Sequence, residues 1–168
     1  MNKNLLSFII ILAVFFSTNY LRAQEKIAFV DINYIYSNSK IGKKFTKELE
    51  SKLKSINKEI QDLQKKLDDE KKNVISQKNI LAENEYKKKI VELESNLKKY
   101  NEIISKKNKD LTDFKSKSKN EFTKTLRSTL EKYAKENSIS MILRKDQILI
   151  GKNNLDITKD ILDLFNKS

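Results

Sequence analysis

Two residue types that carry most protein chemistry near neutral pH are missing from this sequence: among 168 residues there is no His and no Cys. Their absence removes thiol nucleophiles, thiolate and imidazole metal ligands, and the usual general base. Carboxylate and lysine chemistry remain. The adjacent pair Asp68 and Asp69 sits in a stretch of helical period, where neighbouring side chains diverge by about 100°, so the two do not form a dyad. A Gly-rich phosphate cradle cannot be built from two glycines, Gly42 and Gly151. No catalytic residue, cofactor site or metal site is assigned, and the chain reads as one that acts by binding.

The binding chemistry on offer is that of ammonium groups. Lysines cluster at Lys43-Lys44, Lys65-Lys66, Lys71-Lys72, Lys87 to Lys89, Lys98-Lys99 and Lys106-Lys107. Any one cluster could be the solvated face of a helix, but the distribution is uneven. Residues 40–137 hold 27 basic and 17 acidic residues, an excess of +10, while 24–39 and 138–168 together hold six of each. Such a field attracts acidic partners and speeds encounter with them. Nucleic acid is not the expected partner: arginine is scarce, and no basic motif interleaved with aromatics is present. Acidic unfolded polypeptides and anionic lipid headgroups are the candidates.

The elements that position these lysines follow from periodicity. Leu49, Leu53, Ile56, Ile60, Leu63, Leu67 and Val74 alternate spacings of four and three, interrupted only by Glu70. Tyr86, Ile90, Leu93, Leu97, Tyr100, Ile104, Leu111 and Phe114 form a second such series, interrupted by Lys107. Both are heptad seams. The phase is lost between Val74 and Tyr86, where Ser76, Gln77 and Asn79 compete for backbone hydrogen bonds, so residues 40–137 are expected to form an antiparallel helical hairpin turning near 76–83. Ile75, Ile80, Leu81, Val91 and Ile103 fall off the seams. They either widen the buried stripe or offer weak, multipoint contacts to a bound polypeptide.

The ends read differently. Lys3, the apolar run LLSFIIILAVFF over residues 5–16, and Leu21-Arg22-Ala23 make a three-part signal peptide over residues 1–23, cleaved after Ala23 for export. Ile27-Ala28-Phe29-Val30 reads as a buried strand, and Asp31 can cap a brief helical turn through Tyr36. Ile139 to Leu143 and Ile148 to Ile150, joined by a turn at Arg144 to Asp146, suggest a β-hairpin. Asp156 or Thr158 caps a last helix with Ile157, Ile161, Leu162, Leu164 and Phe165 on one face. The expected fold class is therefore α+β and mostly α: a long hairpin on a small β body formed by 24–39 and 138–168. Without disulfides, and with strand edges open, so small a body is expected to be completed by oligomerisation. Ile27, Phe29, Ile139, Met141, Leu143, Ile148 and Ile150 are its candidate interface residues.

The ends, in this order around a Lys/Glu coiled-coil middle, resemble the Skp/OmpH family of periplasmic chaperones. The resemblance is carried by Lys26-Ile27-Ala28-Phe29-Val30-Asp31, by Tyr133-Ala134 ahead of Met141-Ile142-Leu143, by Ile148-Leu149-Ile150, and by Asp156-Ile157-Thr158. It implies a homotrimer whose helical arms enclose a cavity, holding unfolded outer-membrane β-barrel proteins without ATP in the periplasm. A periplasmic adaptor or scaffold bridging envelope proteins is the alternative reading. The family's basic lipopolysaccharide patch has no unique register on these arms and is assigned to no residue.

Overall fold

The computed structural model describes residues 25–167. The signal peptide expected over residues 1–23 lies outside them. In chain order the elements are strand β1 (Lys26–Val30), helix α1 (Ile32–Asn38), helix α2 (Lys40–Ser76), helix α3 (Glu83–Glu136), strand β2 (Ile139–Arg144), two 3-10 turns (Lys145–Gln147 and Asn153–Leu155) and helix α4 (Thr158–Phe165). The fold is mostly helical, with α2 and α3 packed together as an antiparallel hairpin beside a two-stranded sheet.

The break between α1 and α2 is chemically specified. Asp31 starts α1 by accepting from the Tyr34 amide at 2.8 Å. Ser39, fully buried, starts α2 by accepting from the Gly42 amide at 3.1 Å, and the Lys40 amide donates to Asn166 Oδ1 at 2.8 Å. Two donors that α2 itself could not satisfy are thereby paired. At Gly42 the chain passes so close to the end of α1 that a Cβ would lie 1.8 Å from the Tyr36 carbonyl oxygen.

The distal turn needs no glycine, because none of its residues takes positive φ. Gln77 closes α2 in αR geometry, donating to Asn73 through both its amide and its side chain. The Ile80 and Leu81 amides then donate to the Gln77 carbonyl, and Ala82 starts α3. Glu83 and Glu85 occupy the first turn of α3, where negative charge opposes the helix dipole favourably.

At 54 residues against 37, α3 runs about 80 Å to α2's 55 Å and continues past the start of α2 into the body. It ends at Asn137, and Ser138 reverses the chain at φ 52°, the one non-glycine residue with positive φ among those described. This reversal sends β2 back in the direction of β1, and the two strands pair in parallel: Ile27 opposite Met141, Ala28 opposite Ile142, Phe29 opposite Leu143. The expected β-hairpin of Ile139–Leu143 with Ile148–Ile150 is thus corrected. After Leu143 the Arg144 guanidinium closes on the Asp146 carboxylate, the Ile148 amide donates to the Lys145 carbonyl at 3.1 Å, and the chain leaves the sheet. Ile148 is half-buried, and Leu149 and Ile150 stand in solvent.

The core also departs from the expected division into arm and body. Ala28, Val30, Ile35, Ile139, Ile157, Ile161 and Phe165 are buried together with Phe45 of α2 and Phe122 and Leu126 of α3. The Phe122 ring meets Tyr36 at 5.0 Å and Phe165 at 5.2 Å, both edge-on. A body counted only from the two ends is too small, and the roots of the arms supply the missing apolar volume. Gly42→Ala is expected to lower stability by about 1–3 kcal/mol, because α1 must shift to admit the methyl group. Urea denaturation followed by circular dichroism checks this, and an unchanged midpoint would show that the α1–α2 junction is slack.

Candidate functional site

The hairpin arm is the largest surface on the chain that its own body does not cover. Its two helices are held by the expected apolar seam together with polar rungs. Glu70 and Lys107, the residues that interrupt the heptads, each find a partner on the opposite helix. Both Glu70 carboxylate oxygens accept from Asn96 Nδ2, at 2.9 and 3.1 Å, and Lys107 Nζ lies 2.7 Å from Glu59 Oε2. Tyr100 donates to Gln64 at 3.4 Å, and Lys52 Nζ sits 5.1 Å from the centre of the Phe114 ring. From Lys52 to Glu59 to Glu70 the chain climbs seven and then eleven residues, and from Phe114 to Lys107 to Asn96 it descends by the same steps. These contacts fix one register, which an apolar seam alone specifies weakly. Sequence reading identified the interruptions but not their partners, because Asn96 and Gln64 look like ordinary surface residues until the register is known.

Most of the arm lysines are exposed, including Lys71, Lys72, Lys78, Lys87 and Lys88, while Lys89 is half-buried. The off-seam apolar residues divide. Ile75, Ile80 and Val91 are 58%, 78% and 63% exposed, whereas Leu81 and Ile103 are half-buried against the seam. Leu97, a seam residue, is unexpectedly exposed. The structure therefore places Ile75, Ile80, Leu81 and Val91 at the distal end, three of them exposed, and Ile103 on the flank.

On the body, the candidate interface residues also divide. Phe29 and Ile139 are buried within the chain, while Ile27, Met141, Leu143 and Ile150 are exposed. The two edges of the sheet differ. The outer edge of β1 is closed by its own chain: Asp156 bridges to Phe29, the Ile157 amide donates to the Phe29 carbonyl at 3.0 Å, and the Asp31 amide donates to Thr158 Oγ1 at 2.9 Å. No further strand pairs with β2 among the described residues. Sequence reading took Asp156 or Thr158 as the cap of the last helix; the cap position is instead Ile157, with no side-chain cap hydrogen bond, and Asp156 and Thr158 serve this closure.

Asp156 organises the closure. It accepts from the Thr158 hydroxyl and amide and from Lys145 Nζ at 2.7 Å. Burial alone would raise its carboxyl, but the hydrogen bonds from Lys145 and Thr158, with the Lys145 charge, together hold it below the ordinary carboxylate value. Lys145 is raised by the same contact. Nearby, the Tyr133 phenol donates to Asp160 at 2.9 Å, and burial followed by that contact raises it.

Among the described residues nothing on a single chain encloses a polypeptide. A cleft of about 780 Å³ between α3 and α4, lined by Lys124, Thr125, Ser128, Lys132 and Leu164, is of small-molecule size. Among the described residues no group of three or more Asp or Glu side chains could hold a metal ion. No helix among them is long and apolar enough to cross a membrane.

A long, register-locked basic hairpin rooted in a small mixed body defines a class of binding protein that works with projecting arms. The chain matches the family model for outer membrane protein (OmpH-like) over residues 26–165, and it belongs to that family, the Skp/OmpH chaperones. Members are holdase-type chaperones of the periplasm, not enzymes. A similar solved structure is that of a candidate outer membrane chaperone (OmpH-like) from Caulobacter crescentus CB15, with a TM-score of 0.78 and 15% identity, covering 85% of each chain. No curated protein matches the sequence.

The Asp156 closure predicts a pH dependence. Because the folded carboxyl lies below its unfolded value of about 3.9, its contribution to stability is present above about pH 4 and is lost as pH falls through the lower folded value. Asp156→Asn is expected to cost about 1 kcal/mol at neutral pH and to flatten the acid limb of the stability profile. Urea midpoints measured from neutral to strongly acidic pH check both effects.

Proposed function

We propose that this chain, exported by a cleaved signal peptide over residues 1–23, assembles as a homotrimer in the periplasm. There it holds unfolded outer-membrane β-barrel proteins in the space between its arms, without ATP. The observation that carries this reading is the confinement of the entire +10 charge excess to a two-helix arm that stands about 55 Å off a charge-neutral body. Acidic unfolded chains are drawn in by that field, and few fixed polar determinants are needed to hold them. Ile75, Ile80, Leu81, Val91 and Ile103 supply weak apolar touches, and the exposed Leu97 joins them.

The need for several copies is physical, and the number three comes from the family resemblance. One arm has no concavity of polypeptide size. The unpaired edge of β2, with Met141 and Leu143 exposed beside Ile27, is the kind of edge that soluble proteins pair or cover. The Ile148–Ile150 segment of a neighbouring copy, already extended at Ile148, is the proposed cover. The exposed Leu149 and Ile150 are then buried on assembly. Phe29 and Ile139 support the interface from within the chain.

Two outcomes are expected. Purified protein without its signal peptide suppresses aggregation of a urea-diluted outer-membrane barrel protein with no nucleotide, more effectively at low salt than at high salt. Light scattering with no suppression at several-fold excess of assembled protein would sink the holdase reading. In sedimentation equilibrium the protein runs as a trimer, and Met141→Glu with Leu143→Glu dissociates it. A well-folded wild-type monomer would refute the edge-pairing argument.

A further inference from the structure

Where α3 enters the body it lies beside α4, and the two helices leave between them the cleft of about 780 Å³. They run antiparallel, since Asp160 near the start of α4 meets Tyr133 and Phe165 at its end meets Phe122. Glu121, Lys124, Thr125, Ser128 and Lys132 recur at helical spacing along one face of α3, with Leu164 and Lys167 across from them. The floor of the cleft is apolar in spite of its threonines. The Thr125 hydroxyl donates to the Glu121 carbonyl at 3.0 Å, and that of the buried Thr129 donates to the Thr125 carbonyl at 2.9 Å. With their hydroxyls turned onto their own helix, both offer methyl groups to the cleft beside Leu164. The rim is cationic. Three lysines stand against one glutamate; Lys124 and Lys167 are exposed and form no ion pair among the described residues, and Lys132 has Glu136 no nearer than 4.0 Å.

We propose that this cleft is a second binding site, at the base of the arm, for a short extended segment of acidic polypeptide interspersed with apolar side chains. It rests on the holdase reading above and adds a fixed grip to it. Apolar side chains of the segment lie on Thr125, Thr129 and Leu164, and its carboxylates meet Lys124, Lys132 and Lys167. Charge complementarity selects this occupant. The dimensions agree, because Glu121 to Lys132 spans about 16 Å of helix, the length of about five extended residues. A cleft open along its length admits a chain that passes through it, whereas a small ligand there would stay largely in solvent. The surfaces proposed to join one copy to another, the β2 edge and Leu149 with Ile150, belong to the sheet, and the cleft lies on the helices outside that contact. A segment held at the base keeps the rest of its chain at high effective concentration between the arms, so the cleft prolongs residence while the arms supply capacity.

The test uses the full chain without its signal peptide. Because the chain has no cysteine, a small environment-sensitive dye can be placed on Ser128→Cys at the cleft and, as a control, on Ser55→Cys of the arm. At low salt an end-blocked six-residue peptide alternating aspartate and leucine should shift the cleft dye to the blue with saturation, while the arm dye does not saturate over the same range. Peptides with lysine in place of aspartate, or serine in place of leucine, should bind at least about tenfold more weakly, and millimolar inorganic phosphate should not displace the acidic peptide. Lys124→Glu with Lys132→Glu, and separately Thr125→Trp, which fills the cleft without changing its charge, should each weaken binding about tenfold with helicity kept. A silent cleft dye, or a serine peptide that binds as well as the leucine one, overturns the proposal. A cleft dye already blue-shifted without peptide, in step with protein concentration, overturns it in favour of a second copy, and a response to phosphatidylglycerol vesicles but not to peptide overturns it in favour of lipid. Aggregation suppression measured on the same protein separates the two readings. Suppression without saturable cleft binding sinks this site alone, and cleft binding without suppression leaves the site and sinks the holdase reading.

Discussion

The packing of Phe122 against Tyr36 and Phe165 is the junction on which the rest of the structure depends. One ring comes from the returning arm, one from the N-terminal helix and one from the C-terminal helix, so a single cluster ties together segments more than a hundred residues apart. Burying side chains of this size is worth about 1.5–3 kcal/mol each. That energy is available only because α3 overruns the start of α2 and plants its last turns in the body. The extra length of the second helix is therefore the condition for a core to exist, and the parallel pairing of the strands follows from where that helix ends.

Above this junction the arm faces a different constraint. A seam made only of leucine and isoleucine would hold two helices together while leaving their offset poorly determined. Glu59, Glu70, Asn96 and Lys107 remove that freedom at half-exposed sites, where water can still reach the charged groups and the desolvation cost stays small. The arm's register thus comes from these rungs, and its charge from the lysines outside them.

The hairpin was legible in the sequence because period is a local property, repeated over many turns. So were the two ends of the family pattern, Lys26 to Asp31 and Asp156 to Thr158. What could not be read were relations between distant segments. Ile148 to Ile150 has the composition of a strand, yet Arg144, Lys145 and Asp146 turn the chain out of the sheet before it can pair. Phe45 and Leu126 carry the heptad-like spacing of arm residues and belong to the core, a distinction that depends on what packs beside them. The functional surface was legible in kind, as a basic arm with stray aliphatic residues. The gathering of four of those residues at one end, three of them exposed, required the register, and the register required partners for Glu70 and Lys107.

The matched steps of seven and eleven residues along the two helices give the arm the character of a ruler. Adding the same step to both strands of the ruler, between one rung and the next, lengthens it without altering the rungs already present, the turn at its end or the junction at its base. The reach of the protein is in this sense a separately adjustable dimension. Larger or smaller cargo can be met by changing the number of graduations while the foundation stays the same.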